Sequence, residues 1–503
     1  MPKGEPIPAA RFSPDLPGAW DYTWMHGDTG VMEGRFRCEP DAHPGYVEVS
    51  RHDPRYFCFT DGNPYTAIGL NLCGAPRYAL PKGGEFEQSA RFATLGAREY
   101  ERWFQRLAAN GGNYARLWLS HPFFAVEGET AGEVDLPVFA RLDAVVAAAR
   151  HHGIRLKLCL EHFRRVTAGS GPDAFLRKLR DPESETSPTD MDDWFQNPLW
   201  QRLWWRKIEA YLARYGDDPI VMAWELWNEI DCCQTSSWAV QRAWTENTLR
   251  AIKQRAPRNL ATNSLGSFDW EGKQAVQDDF KADVMDFQQV HRYLDQGASI
   301  PCCRTDPVEF SIDAVQRARR PDRPVILTET GAVDDCHIGP FRYYRWDDDG
   351  LILHDTTYPA FFAGAAGSGH IWHWDGYVDQ KNLWSGFRAL AEAIRGVAVD
   401  REQFSAVDLS TSTCWCLALR GRTVTLAWIR NRADRWDLVL RDNRPAGLLS
   451  DVSFDLCAAS RTPNAVHLFN PWPQDGLGEP RVAGTRIEFP AFRHGLVVRI
   501  DHR

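Results

Sequence analysis

Eight short apolar runs alternate with amphipathic helical stretches between about residues 60 and 400. The runs lie at residues 65–72, 113–119, 154–162, 220–227, 259–264, 284–291, 324–330 and 369–374. Because helices separate the runs, the strands pair in parallel, and eight such units favour a closed (β/α)8 barrel. A doubly wound open sheet is the alternative, but no glycine-rich phosphate loop follows the first run.

The two ends of the chain have a different pattern. Residues 1–60 read as a short β-rich segment, followed by a turn signal at Asp61–Gly62. After residue 400 the helical periodicity gives way to strand-like pieces between turns, among them "TVTLAWIRN", "WDLVLRD" and "GLVVRI". The sequence therefore predicts an N-terminal β segment (1–60), a barrel (61–400) and a small C-terminal antiparallel β-sandwich (401–503).

Composition narrows the classes of partner. The 503 residues carry 67 acidic and 58 basic side chains, a formal charge of -9, which disfavours nucleic-acid binding through phosphates. No apolar run approaches the ~20 residues of a membrane span. The first residues have no apolar signal segment, so we expect a cytoplasmic location if Met1 is the native start. The 21 tryptophans suit both a core and a carbohydrate platform, and the oligomeric state stays open.

Polar side chains close most of the predicted strands. A carboxylate after an apolar run such as "MAWELWNE" is expensive unless it is paired or used. In a parallel barrel these strand ends converge on one mouth. The candidates are Arg116, Glu161, His162, Asn228, Glu229, His291, Tyr293, Glu329, Trp372 and Trp374.

Glu229 and Glu329 lie on predicted strands four and seven, across the barrel from each other. Two facing carboxyls suit glycosidic cleavage, in which one donates a proton and the other attacks or activates water. Arg116 is placed to keep the attacking carboxylate ionised, Asn228 to bind a sugar 2-hydroxyl and Tyr293 to orient the nucleophile.

The strand ends resemble those of clan A retaining glycoside hydrolases. Within this clan they are most similar to glycoside hydrolase family 5, which contains cellulases and β-mannanases. The resemblance rests on "WNE" after strand four, "HRY" on strand six, "TETG" after strand seven and a tryptophan on strand eight. The stretch "FCFTDGNP" also resembles the lead-in hairpin of clan members. The resemblance covers residues 60–400. It implies that Glu229 is the acid/base and Glu329 the nucleophile, and that the first sugar subsite is lined by Asn228, Arg116, His291, Tyr293 and Trp372.

His162 and Trp374 are further substrate-binding candidates, although the family pattern does not predict the Glu161 that precedes His162. We expect a retaining β-glycosidase of β-linked hexopyranosyl substrates, acting on short or terminal chains because the loops after strands four, six and seven are long and aromatic. The alternatives are an endo-acting β-glucanase or β-mannanase, a catalytically idle carbohydrate-binding barrel and a metal-dependent hydrolase. We expect no cofactor and no metal, since no metal-ligating pair follows strand one.

Several features remain outside this scheme. The cysteine pairs 232–233 and 302–303, and Cys336 with His337, fall on loops above the mouth. A metal or a disulfide is open there, but free buried thiols are favoured. His151 and His152 end a predicted helix and should be exposed, stabilised by the helix dipole. The acidic run "WDDDG" (346–350) is expected to be solvated or to close one end of the cleft.

Overall fold

The computed structural model describes residues 14, 16–26, 29–39, 43–74, 96–121, 123–162, 179–280, 284–334, 339–457, 461–472 and 476–502. The N-terminal segment forms a hairpin of β1 (Gly18–His26) and β2 (Thr29–Cys38). A small antiparallel sheet of β3 (Val47–Val49), β4 (Phe57–Phe59) and β5 (Pro64–Tyr65) follows it. The turn predicted at Asp61–Gly62 joins β4 to β5. The sheet then leads into the first barrel strand.

Strands and helices then alternate over the central part of the chain. In order they are β6 (Gly69–Asn71), α1 (Ala97–Ala109), β7 (Tyr114–Trp118), α2 (Leu136–His151), β8 (Arg155–His162), α3 (Met191–Gln196), α4 (Pro198–Tyr215), β9 (Val221–Asn228), α5 (Trp238–Arg255), β10 (Leu260–Thr262), α6 (Lys273–Asp279), β11 (Gln288–His291), α7 (Pro301–Thr305), α8 (Pro307–Ala318), β12 (Val325–Glu329), α9 (Leu351–Phe362) and α10 (Arg388–Ile394).

The strands form a closed ring. Strands β6 to β10 make one parallel sheet in the order β10-β9-β8-β7-β6, and β11 pairs in parallel with β12. Residues 366–372 supply the eighth strand, with parallel bridges from Gly367 to Ala67 and from Ile371 to Thr330. The N–H of Asp286 donates to the carbonyl of Ala261 at 3.0 Å and joins the β10 side to the β11 side. The fold is therefore a (β/α)8 barrel.

Glycines allow the barrel strands to approach their neighbours closely. A Cβ on Gly69 would lie 1.9 Å from the carbonyl oxygen of Tyr114 on strand β7, and one on Gly369 would lie 2.0 Å from that of Thr356 on helix α9. A side chain at either position would force the neighbouring backbone apart, which explains why glycine interrupts otherwise apolar strands.

The face of β9 that points to the helices is packed by aromatic rings. Trp227 lies 5.4 Å from Trp194 and 6.0 Å from Trp244, measured between ring centroids. Helix α4 begins where the side chain of Asn197 accepts the N–H of Leu199, and Pro198 occupies its first turn. This packing accounts for several of the 21 tryptophans as core residues and fixes the strand that carries Asn228.

The C-terminal region is antiparallel β structure in two sheets. Its strands are β13 (Ser405–Asp408), β14 (Cys414–Arg420), β15 (Val424–Asn431), β16 (Ser453–Asp455), β17 (Pro463–Phe469), β18 (Arg481–Ala483), β19 (Arg486–Glu488) and β20 (Gly495–His502). The sheets have the orders β13-β14-β15-β20-β17 and β16-β19-β18 and enclose an apolar core with Ile429, Phe454, Ile487 and Val498. The boundaries at residues 60 and 400 stay predictions.

The prediction of a strand at "WDLVLRD" is wrong. Residues 437–441 form a helical turn, and Trp436 and Leu440, four residues apart, are both buried. In a helical turn a spacing of four brings the two side chains within about 6 Å along the axis, so both reach one buried patch, whereas in a strand they would lie about 13 Å apart. The indole N–H of Trp436 donates to the carbonyl of Thr305 at 3.0 Å and ties this turn to the barrel.

A buried ionic cluster joins the C-terminal sheet to helix α9, and we call it the sheet–helix cluster. Arg430 on β15 contacts Asp355 on α9 at 2.7 Å and also pairs with Asp434, whose carboxylate accepts from His494 at 2.6 Å. Burial raises the pKa of Asp355 to about 7, although Arg430 opposes the shift.

Among the described residues, none of the helices has the length and hydropathy needed to cross a membrane.

Candidate active site

Glu229 stands at a sharp turn off the end of β9. Its backbone is left-handed, with φ 55° and ψ 58°, a conformation that costs a residue with a Cβ about 1–2 kcal/mol. Ser264 holds the turn, because its hydroxyl accepts the N–H of Glu229 at 3.0 Å and its carbonyl accepts the N–H of Ile230 at 3.1 Å. The side chain of Glu229 is thereby directed by residues that follow the next strand.

Glu229, His291 and Glu329 come together at the strand ends. One carboxylate oxygen of each glutamate and a ring nitrogen of His291 all lie within 4.8 Å of one another. His291 Nδ1 is 2.8 Å from Glu229 Oε1 and 3.5 Å from Glu329 Oε2. Burial, followed by the charge of Arg116, lowers the pKa of His291 well below its usual value. A neutral imidazole therefore contacts both carboxyl groups.

The two glutamates differ in their partners. Arg116 forms an ion pair with Glu329 Oε1, and the Tyr293 hydroxyl donates to Glu329 Oε2 at 2.8 Å. Burial raises the pKa of Glu329, but Arg116 and Tyr293 oppose that shift. Burial and then the nearby charge of Glu329 raise the pKa of Glu229 well above its usual range. The proton shared by this pair therefore belongs on Glu229, which leaves Glu329 ionised.

Arg116 is itself held in place by two hydrogen bonds to Glu225. Its Nε and Nη2 donate to the two oxygens of Glu225 at 2.7 and 2.8 Å, and Nη2 also donates to Asn228 Oδ1 at 2.7 Å. Lys157 Nζ is 3.1 Å from Glu225. Burial opposes ionisation of Glu225, but Arg116 and Lys157 outweigh it and hold its pKa well below the usual value. Burial in turn lowers the pKa of Lys157 to about 8.

Sequence reasoning missed Glu225 and Lys157. Strict alternation along β9 would put Glu225 and Asn228 on opposite faces of the strand, yet both reach Arg116. The sequence signal that was present is a second carboxylate inside the run "MAWELWNE", where a charge needs a partner.

Several buried nitrogens of the candidate site residues have no hydrogen-bond partner among the described residues. They include Asn228 Nδ2, His291 Nε2 and the indole nitrogen of Trp374. Trp372 is half-buried, and its ring meets that of Trp374 edge-on at 5.4 Å. The structure thus brings Trp372 and Trp374 together, with Trp374 the more buried of the two.

His162 belongs to an aromatic stack beside Trp372. Its ring lies 4.5 Å from that of Trp118, which lies 4.8 Å from Trp372, and its Nδ1 is 2.5 Å from the Ser120 hydroxyl. The preceding Glu161 turns towards α4, where it accepts from the Trp204 indole at 2.9 Å. Glu161 therefore serves the packing of the barrel wall, and His162 points to the ring stack.

The remaining loop features have mixed outcomes. Each cysteine in the described ranges is a free thiol, and Cys336 and His337 lie outside those ranges. Cys232 Sγ is 3.9 Å from Glu229 Oε2. Asp347 of the acidic run is buried, because its carboxylate caps α9 by accepting the N–H groups of Leu351 and Ile352. The expectation of a solvated run is wrong for this residue.

Comparison with known proteins places the chain in a family. A model described as Cellulase (glycosyl hydrolase family 5) matches residues 82–343, more than half of the chain. Mannan endo-1,4-beta-mannosidase 2 of Oryza sativa subsp. japonica is 27% identical over 355 residues, 62% of this chain and 74% of that protein. Mannan endo-1,4-beta-mannosidase 4 of the same organism is 31% identical over 183 residues, 34% of this chain, and the match spans 38% of that relative's length.

A solved structure agrees with the fold. The crystal structure of a glycoside hydrolase family 5 protein from Bacteroides vulgatus ATCC 8482 has a TM-score of 0.53 at 12% identity, over 91% of this chain and 94% of that one. At this identity the likeness concerns the fold alone. The family match, together with the barrel, shows that the chain belongs to glycoside hydrolase family 5.

Proposed function

We propose that this enzyme hydrolyses β-1,4-linked mannosides with retention of configuration, with Glu329 as nucleophile and Glu229 as acid/base. The observation that carries the proposal is a pair of carboxyls with oxygens within 4.8 Å, of which only Glu329 is paired with an arginine in the described part of the chain. The sugar is inferred from the relatives, which are named as mannan endo-1,4-beta-mannosidases.

The separation of the carboxyls supports retention. Retaining enzymes hold the two groups about 5–5.5 Å apart, whereas inverting enzymes need about 6.5–9.5 Å to fit a water between them. A separation within 4.8 Å between the nearest oxygens of Glu229 and Glu329 matches the retaining class. His291 fills the space beside them and contacts both groups.

In the first step Glu329 attacks the anomeric carbon, and the bond from that carbon to the leaving oxygen breaks. The electron pair stays on the leaving oxygen, which takes the proton of Glu229. In the second step Glu229 accepts a proton from water as the water oxygen attacks the same carbon and releases Glu329. Arg116 and Tyr293 stabilise the carboxylate of Glu329 before attack and after release.

The surrounding side chains form the first sugar subsite in this proposal. Asn228 has a free Nδ2 donor for the 2-hydroxyl, where a hydrogen bond strengthens in the transition state. Trp372 offers a ring face as the floor of the subsite, and the indole of Trp374 is a further donor. His162 supports this floor through Trp118.

Endo cleavage within mannan is the second candidate, because the relatives carry that name. Action on short or terminal substrates is the expectation from the aromatic loops. Product analysis separates them: endo action releases a range of oligosaccharides from mannan at once, and terminal action releases one small product from mannohexaose.

The proposal is tested with aryl β-mannosides, β-glucosides and β-galactosides, followed by two variants. Glu329→Ala should lose turnover and regain it with azide as an anomer-inverted glycosyl azide. Glu229→Ala should keep fast glycosylation of substrates with good leaving groups, which need no proton, and stall at the covalent intermediate. Exchanged behaviour of the two variants would reverse the roles, and absence of turnover on every glycoside would favour a binding barrel.

A further inference from the structure

Outside the barrel mouth, three potential metal ligands meet on the outer helices. Glu101 on α1 and His151 and His152 at the end of α2 each place a ligand atom within 4.8 Å of the others. His152 Nε2 is 2.7 Å from Glu101 Oε1, and the two imidazole rings are 4.7 Å apart at 77°. The exposure predicted for this histidine pair is confirmed for His151, whereas His152 is partly buried against Glu101.

We propose that Glu101, His151 and His152 form a surface site for Zn²⁺. Two imidazoles and one carboxylate are a ligand set that zinc uses, with solvent free to take the fourth position. The carbonyl end of α2 adds partial negative charge beside the ion. Zinc bonds of about 2.0–2.2 Å require the ligand atoms to draw closer than 4.8 Å, and the exposed side chains of Glu101 and His151 have room to do so.

Such an ion would connect α1 to α2. It would stabilise the protein because it binds the folded state and not the unfolded state. This effect concerns the outer helices and does not enter the proposed reaction. It also differs from the loop cysteines, for which we predict neither metal binding nor a catalytic task.

The test is calorimetric titration of ZnCl₂ into the full chain and into the double variant His151→Ala/His152→Ala, with exposed His52→Ala as the matched control. The parent and the control should each bind one zinc equivalent more than the double variant. Zinc should raise the melting temperature of the parent and of the control by a few degrees more than that of the double variant. Glu101→Gln should weaken binding by about tenfold. Equal stoichiometry and equal melting shifts in parent and double variant would overturn the site, since zinc would then bind elsewhere.

A second, independent observation concerns an ion pair next to Glu229, formed by Asp231 in the turn after β9 and Lys273. Lys273 Nζ on α6 lies 2.7 Å from Asp231 Oδ2, and the Gly266 N–H donates to Asp231 Oδ1 at 2.7 Å. The side chains of Lys273 and Asp231 are only 9% and 17% exposed, so this pair is fixed and poorly hydrated. A cation is therefore held beside the acid/base of the proposed reaction.

Charged and titratable groups reach Glu229 from every element around it. Arg116 on β7, His291 on β11, the following Tyr293 and Glu329 on β12 come from the strand ends, whereas Asp231 and Cys232 come from the turn after β9 and Lys273 from α6. Lys273 and Arg116 favour the ionised form of Glu229, whereas Glu329 and Asp231 favour the protonated form. Of the two cations, Arg116 is shared with Glu225 and Glu329.

The geometry points to Lys273, anchored by Asp231, as a positioning residue that sets the pH at which Glu229 changes from acid to base. This inference rests on the proposed function. In the first step Glu229 must hold a proton, and in the second step it must be ionised to accept one. A fixed cation beside Glu229 favours the ionised state needed for the second step.

The test is the pH profile of kcat/KM on an aryl mannoside. Lys273→Gln should move the alkaline limb to higher pH by about one unit, because the cation that favours ionisation is gone. Lys273→Arg should restore the parent limb, which a merely structural role of the side chain would not require. An active Lys273→Gln enzyme with an unmoved limb would overturn the inference.

Two further measurements keep the test decisive. If Lys273→Gln folds poorly, Asp231→Asn is the second variant. It removes a carboxylate that favours the protonated form of Glu229 and leaves the charge of Lys273 unpaired, so the alkaline limb should move to lower pH. An unmoved limb would count equally against the inference. The Glu229→Ala enzyme reports separately on the proposed function, since it should lose the alkaline limb on activated substrates whether or not Lys273 has this role.

Discussion

Two arginines in this molecule are buried between pairs of carboxylates, and they do different things. Arg116 lies between Glu225 and Glu329 at the strand ends, and Arg430 lies between Asp355 and Asp434 in the sheet–helix cluster. Each group also contains a histidine that contacts a carboxylate, His291 in the first and His494 in the second.

The difference is a further acid. At the strand ends Glu229 brings another carboxyl to within 4.8 Å of Glu329, and in the described part of the chain no lysine or arginine forms an ion pair with it. In the sheet–helix cluster Arg430 contacts both aspartates, and His494 also contacts Asp434. A buried arginine between two acids therefore occurs in both regions and does not by itself indicate catalysis. A carboxyl at a strand end without a lysine or arginine partner is what indicates a candidate catalytic group.

The sharpest test of this comparison removes one carboxylate charge from each cluster. Glu329→Gln should lower kcat by roughly 10⁴-fold or more, because the proposed nucleophile is lost. The matched change Asp434→Asn should leave kcat of the folded enzyme within a factor of about two, since that carboxylate contacts no substrate. Steady-state kinetics on an aryl mannoside measures both, and comparable losses in the two variants would erase the distinction.

Removing either arginine should lower the stability of the protein, and only the loss of Arg116 should also lower kcat. Arg430→Met leaves Asp355 and Asp434 buried without their cation and should lower the free energy of unfolding by about 3–5 kcal/mol, with kcat unchanged for the folded fraction. Arg116→Met should lower both stability and kcat. Urea denaturation followed at two wavelengths, with kinetics below the transition, gives both quantities. A drop in kcat for Arg430→Met would connect the sheet–helix cluster to catalysis.

The sheet–helix cluster should also have its own pH dependence. Asp355 titrates at about 7 in the folded chain and near 3.9 when unfolded, so between these values the folded state binds more protons. Stability from this group is therefore present at low pH and lost as the pH rises towards 7, by about 2 kcal/mol between pH 5 and 7. The Asp355→Asn variant should lack this component. Identical stability profiles for parent and variant would contradict the raised pKa.

The support beneath Arg116 should have the smallest effect of the four. Glu225→Gln removes the carboxylate that holds Arg116 in two places, so kcat/KM should fall by about 10- to 30-fold as the guanidinium loses its alignment with Glu329. In the double variant Glu225→Gln/Lys157→Met the lysine that has lost its carboxylate partner is also removed. This variant should recover more of the lost free energy of unfolding than of the lost kcat/KM, and a double-mutant cycle measures both. Full activity in Glu225→Gln would show that Arg116 needs no support from this side.

The sequence predicted the barrel well because its periodicities are local. The run at 154–162 became β8 at Arg155–His162, and the run at 324–330 became β12 at Val325–Glu329. Glu229 and Glu329 were found for a related reason, since parallel strands bring their carboxyl ends together. The family predicted from these strand ends is confirmed by the match over residues 82–343.

What the sequence could not predict depends on contacts between distant residues. Glu225 acts through Arg116, which is 109 positions away along the chain, and no spacing rule connects them. The left-handed turn at Glu229 depends on Ser264 of the neighbouring strand end. The helical turn at residues 437–441 replaced a predicted strand because Trp436 and Leu440 could be buried together against the barrel.

The left-handed backbone of Glu229 has a consequence for how this family member can change over evolutionary time. Glycine, which has no Cβ, would occupy φ 55° more comfortably than glutamate does. A Glu229→Gly lineage would then avoid this backbone cost while losing the proposed proton donor, so mutation at this position favours an inactive barrel that still folds. We therefore expect selection for the proposed reaction to retain the glutamate at this position.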